Sequence, residues 1–138
     1  LVLGLFVMAQ SCDTNNCEDI SCNSGPASFQ LEIVDKDSGE NLFTNGTYNK
    51  EDLELIANSN SEATYRFIDE DDYNIIRIST FKSVDYSVRI SDSEIFTVSV
   101  NAEGVTEDCC FFTSVNNFEI EGADFEPDQN TGIFKIKI

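Results

Sequence analysis

Apolar and polar residues alternate along most of the chain with a period of two. Phe29, Leu31 and Ile33 share one face while Gln30 and Glu32 take the other, which predicts a half-buried strand. The run Asp35-Lys36-Asp37-Ser38-Gly39-Glu40 is turn chemistry, and Leu42 and Phe43 are expected to open a short return strand before the Asn45-Gly46 turn. Leu53, Leu55 and Ala57 predict a further strand, and Tyr65 and Phe67 alternate with Arg66 and Ile68 in another. After the acidic loop Asp69-Glu70-Asp71-Asp72 come Ile76 and Ile78, then Tyr86, Val88 and Ile90, a tight turn at Ser91-Asp92-Ser93, and Phe96, Val98 and Val100. Residues 101–108 are expected to form a loop centred on Gly104. Cys110, Phe112 and Val115 follow, and then Phe118 and Ile120. Residues 123–131 are expected to form a longer loop around Pro127, and Phe134, Ile136 and Ile138 close the pattern.

Eight or nine short strands at about 8–12-residue spacing predict an all-β fold, and no segment keeps a helical repeat for three turns. Alternation gives each sheet one wet face, which suits antiparallel pairing. The expected architecture is an antiparallel β-sandwich, Ig-like or transthyretin-like, over residues 27–138. A lipocalin-like β-barrel is the second candidate, since about 110 residues is short for eight long strands around a cavity. The length of 138 residues suits one such domain.

The amino terminus breaks this pattern. Residues 1–9, Leu-Val-Leu-Gly-Leu-Phe-Val-Met-Ala, are uncharged and apolar. As a helix they would span about 14 Å, against a bilayer core of about 30 Å, which is the scale of a signal-peptide h-region. Ala9-Gln10-Ser11-Cys12 follows and resembles a lipobox, with Ala9 in place of the more usual Leu and Gln10 an uncommon choice. The resemblance implies that Cys12 carries a diacylglycerol thioether and is the first residue of the mature chain. Residues 1–11 are then a signal-peptide remnant, with its basic part missing, and residues 12–26 a polar, cysteine-containing tether. The whole arrangement resembles small envelope lipoproteins of Bacteroidetes type, with Ile33 to Phe43 the most family-like stretch. The strand–Asp–Ser-Gly-Glu–strand form of that stretch is also similar to the first hairpin of carboxypeptidase-regulatory-like sandwiches. These families imply an envelope address and no particular activity.

Five cysteines are present, at positions 12, 17, 22, 109 and 110. Lipidation of Cys12 would leave Cys17, Cys22, Cys109 and Cys110, an even set with three possible pairings. Joining Cys109 to Cys110 forces a small strained ring, so both other pairings tie the amino-terminal segment to the Cys109 region. On one regular strand Cys109 and Cys110 would point to opposite faces, which favours a bulge or a wrapped edge. A single bridge with two free thiols and a four-thiolate zinc site are the remaining alternatives, and the spacing is not that of a zinc ribbon.

The charge balance narrows the function. There are 26 acidic and 8 basic side chains, a net charge of −18, and no histidine. Such a surface repels nucleic acid and anionic lipid. Without histidine the commonest general base and metal ligand are missing, and no Gly-x-Ser-x-Gly elbow occurs. The chain is therefore expected to be no enzyme. The sequence points to a lipid-anchored binding or assembly module of the cell envelope. It would be an outer-membrane lipoprotein facing the periplasm or the surface, attached to the membrane through Cys12, with a protein or glycan partner. A calcium-assisted adhesion module is the second reading, with Asp69, Glu70, Asp71 and Asp72 as the cluster to which calcium, the one cofactor considered, would bind. The spacing of Asp35, Asp37 and Gly39 departs from an EF-hand and reads as a hairpin turn. A hydrolase built on acidic residues is the third reading, and it requires a pocket with two convergent, partly buried carboxyls. Tyr48, Tyr65, Tyr73 and Tyr86 are candidates for sugar stacking, although core packing accounts for most aromatics of this kind.

Overall fold

The computed structural model describes residues 22, 24–58 and 63–138. Nine strands form two sheets: β1 (Ala27–Val34), β2 (Leu53–Ala57), β3 (Thr64–Ile68), β4 (Ile75–Thr80), β5 (Val84–Ile90), β6 (Ser93–Glu107), β7 (Cys110–Glu121), β8 (Asp124–Pro127) and β9 (Phe134–Lys137). The first sheet has the order β3-β4-β1-β9-β8 and the second β2-β5-β6-β7. Both are open at their edges, so the fold is a β-sandwich and the barrel alternative is excluded. One departure from the antiparallel expectation lies at the centre of the first sheet. There β9 runs parallel to β1, Leu31 opposite Phe134 and Ile33 opposite Ile136.

The alternating residues meet between the sheets. Leu31, Ile33, Ile76, Ile78 and Ile136 of the first sheet and Val84, Val88, Phe96 and Val98 of the second are all buried. Phe29 stacks on Phe118 at 4.6 Å, and Phe118 on Phe134 at 4.6 Å, so one aromatic column joins β1, β7 and β9 across the core. Burial of such apolar surface is the main favourable term in folding.

Three stretches depart from the expected pattern. Residues 101–107 continue β6 instead of forming a loop, and β7 is a single strand that pairs with β6 as far as Glu107 and Cys110. Asn116 is the extra residue of a bulge, because Asn101 faces Asn117 while Ala102 faces Val115. Ser83 fixes this site: its Oγ accepts from the Ala102 N–H at 2.9 Å and lies 3.1 Å from the Ala102 carbonyl as donor. Gly104 stays in the strand because the Phe111 ring lies over it, in the space where a Cβ would sit. The second departure is β8, within the expected 123–131 loop. It is an edge strand, and Pro127 stands at its last position, where a missing N–H costs least. The third is the return strand at Leu42 and Phe43, which is reduced to a bridge between Val34 and Asn41. Asn41 Oδ1 takes the N–H groups of Phe43 and Thr44 at 2.9 and 3.0 Å, and this side-chain turn competes with the ladder.

Thr113 on β7 carries the one buried side-chain polar atom, Oγ1, that has no hydrogen-bond partner among the described residues. Exchanging it for an isostere removes an unmet desolvation cost. Thr113→Val is therefore expected to leave stability unchanged or raise it by up to about 1 kcal/mol, read from the midpoint of urea unfolding.

Candidate functional site

Cys22 and Cys110 are joined by a disulfide with Cα atoms 5.4 Å apart. The bridge pins the segment preceding β1 to the tip of the β6–β7 hairpin. Cys109 is also disulfide-bonded. The difficulty of two adjacent cysteines on one strand does not arise, because Asp108 and Cys109 form the two-residue turn between paired Glu107 and Cys110, and Asp108 is left-handed at φ 53°. Cys12 and Cys17 lie outside the described residues.

The Asp69-Glu70-Asp71-Asp72 cluster is a connection between β3 and β4 whose members are separately engaged. Asp69 is hydrogen-bonded and ion-paired to Lys50, which sits in a 3-10 turn at Lys50–Asp52. The lysine hydrogen bond and charge hold the Asp69 carboxyl below the ordinary carboxylate range, and the Lys50 amine is raised in turn. Glu70 reaches Arg66 at 4.0 Å. Asp71 and Asp72 both have positive φ, 53° and 64°, as a tight turn requires. Among the described residues no three Asp, Glu or Cys side chains are gathered to hold a metal ion, so the calcium reading has no ligand set there. Asp35 likewise serves its own turn. Its Oδ1 accepts from the N–H groups of Asp37 and Ser38 at 2.8 and 2.9 Å, and these bonds, Ser38 first, lower its pKa.

Asp69 also lines a groove of about 280 Å³ with Glu51, Phe43, Tyr48 and Asn74. Two carboxylates thus face one groove, as a glycoside hydrolase would need. Glu51 and Asp69 are both exposed, whereas the hydrolase reading requires convergent, partly buried carboxyls.

A second groove, also about 280 Å³, crosses the outer face of the first sheet. Its floor is apolar. Ile75 and Ile133 are 5% and 7% exposed although both point away from the sandwich core, since their neighbours Ile76 and Phe134 point into it. Ile68 stands opposite Ile75 and completes the floor. Tyr73 at the rim is 52% exposed. Gln30 and Arg77, directly opposite each other on β1 and β4, supply the polar wall with Thr131. Arg77 also stands directly opposite Arg66 on β3. The alternation shows Arg66, Arg77 and Tyr73 as ordinary surface residues. Their assembly depends on the β1–β4–β3 register, and the adjacent pair Ile75-Ile76 is the only local sign that both faces of β4 are covered.

Of the four tyrosines, Tyr86 is core. Burial pushes its hydroxyl pKa up, with Tyr65 edge-on to it at 6.1 Å adding to the shift. Among the described residues no helix is long and apolar enough to cross a membrane. Comparison with known proteins finds no match: no family model, no curated protein and no solved structure is similar to this chain.

Proposed function

We propose that the chain is an exported, lipid-anchored module of the cell envelope that binds or assembles without catalysing a reaction. The observation that carries this reading is the apolar run of residues 1–9 ending in Ala9-Gln10-Ser11-Cys12 and passing at once into Asp13-Thr14-Asn15-Asn16. A diacylglycerol group on Cys12 supplies two acyl chains, enough for stable anchoring where one chain gives only marginal affinity. Ten peptide units separate Cys12 from Cys22. They reach at most about 35 Å, so the end of the sandwich bearing the Cys22–Cys110 bridge stays near the bilayer. The net charge of −18 supports display in water beside a membrane without adsorption to anionic headgroups. The absence of histidine and the exposure of both carboxylates in the Asp69 groove support the non-enzymatic part of the reading.

Expression behind a complete lipoprotein signal that ends in Ala9-Gln10-Ser11-Cys12, in a bacterium that processes lipoproteins, tests this. The wild-type chain is expected to enter the detergent-rich phase on Triton X-114 partition, and Cys12→Ser carried behind a signal that is cleaved without lipidation, in place of residues 1–11, to move about nine-tenths of it to the aqueous phase, as loss of two buried acyl chains implies. Equal partition of the two proteins contradicts the anchor.

A further inference from the structure

We propose that the groove on the outer face of the first sheet binds a saccharide unit bearing a carboxylate. Arg77 would hold the acid, with Arg66 opposite it on β3 adding charge from beside the groove, Gln30 would bond to hydroxyls, and Tyr73 would stack on the ring. The proposal rests on the reading of the chain as a displayed binding module and names its ligand class.

Two arginines placed directly opposite each other repel, and such pairs destabilise a sheet. The arrangement stands out in a chain with 26 acidic side chains available to neutralise it. Among the described residues no carboxylate lies within ion-pair distance of Arg77. The contact of Arg66 with Glu70, at 4.0 Å between side chains 67% and 76% exposed, is of the kind that contributes little. Arg77 therefore brings a guanidinium without an ion-pair partner to the groove, beside Arg66, on a protein that is otherwise strongly anionic. A guanidinium binds a carboxylate through two parallel N–H bonds, a geometry matched to the planar acid.

The neighbouring surface selects what carries that acid. Ile68, Ile75 and Ile133 form an apolar floor, and the exposed Tyr73 ring stands beside it, a combination that suits the C–H face of a sugar. The volume of about 280 Å³ lies at the lower end of ligand sites, so the groove admits about one ring rather than an extended acidic peptide. A peptide rich in acids would also meet the repulsion of the whole −18 surface, whereas a single uronate brings one charge. The Tyr73 end of the groove lies toward the end of β1, while Cys22 precedes its start, so that end is directed away from the Cys22–Cys110 bridge.

Three matched probes test this on the whole processed protein by amide chemical-shift titration: methyl glucuronoside, methyl glucoside and acetate. Methyl glucuronoside is expected to shift the resonances of Ile75, Arg77 and Ile133 saturably, with methyl glucoside about tenfold weaker, as loss of a charged hydrogen-bonded pair implies. Acetate should be weaker than the uronide as well. Arg77→Gln should abolish the preference for the acid, and Tyr73→Ala should weaken both sugars alike. Lys36→Gln, outside the groove, should change neither. Arg77→Gln should keep or raise the melting temperature, because it relieves the like-charge pair; a purely structural arginine would lower it. The proposal is overturned by any of three results: no saturable shift, an acid preference that survives Arg77→Gln, or acetate binding as tightly as the uronide. None of these would alter the detergent partition of the wild-type chain, so the ligand and the anchor fail separately.

Discussion

Replacing Cys22 and Cys110 together by Ala is expected to destabilise the domain by about 2–4 kcal/mol. The bridge spans a sequence separation of 88 residues, and closing so long a loop restricts the unfolded chain strongly. The upper end of the chain-entropy range is not reached, because Cys109 in the same turn is disulfide-bonded too and already restrains that region. The native sheets do not depend on the bridge for their hydrogen bonds, so the β-sheet signal in circular dichroism should be kept while the thermal midpoint falls by roughly 10 °C. The β6–β7 tip should respond most, since the bridge joins it to Cys22. Amide exchange at residues 102–115 should accelerate more than exchange in β4 or β5. An unchanged midpoint would mean that the amino-terminal pin bears no load.

Phe96→Ala is the second large effect, with an expected cost of about 3–5 kcal/mol. Phe96 is 2% exposed and stands opposite Val88 at the centre of the second sheet. A ring fully buried between two sheets leaves a cavity that its neighbours fill only in part, which adds to the lost transfer energy. Total stabilities of about 5–15 kcal/mol are usual, so this single change removes a large share. Ile56→Ala, at a 41% exposed position on an edge strand, is the comparison and should stay within about 0.5 kcal/mol of wild type. Denaturant midpoints of the three proteins, taken with one slope, separate the two outcomes.

The sandwich was legible because alternation with a period of two is a local signal. Phe29-Leu31-Ile33, Tyr86-Val88-Ile90 and Phe96-Val98-Val100 each declare their inward face without knowledge of any partner. The turn at Ser91 and Asp92 was legible for the same reason, and both residues adopt the positive φ, 49° and 66°, of a tight hairpin. What the alternation hid depends on partners. Gly104 reads as a loop centre until Phe111 is seen to lie over it, and the Asn116 bulge is specified by Ser83 from another part of the chain. Pro127 argues for a loop, yet the final position of an edge strand accepts it. The parallel pairing of β1 with β9 is a choice of partner, and period-two patterns are blind to strand direction.

The candidate sites follow the same division. Acidic residues 69–72 are conspicuous in sequence, but Lys50 and the turn geometry already account for them. Arg66 and Arg77 are unremarkable in sequence, eleven residues apart on separate strands, and become a pair only through register. The cysteine arithmetic foresaw a link from the amino-terminal segment to the Cys109 region. It did not foresee that a two-residue turn would place Cys109 outside both strands.

The central claim concerns Cys12, and intact-mass spectrometry of the protein purified from membranes of a lipoprotein-processing host tests it most directly. The predicted result is a mature chain whose first residue is Cys12, heavier than its sequence by a diacylglyceryl group, with the Cys22–Cys110 disulfide recovered on digestion without reduction. An unmodified mass, or a mature chain that begins upstream of Cys12, would contradict the account.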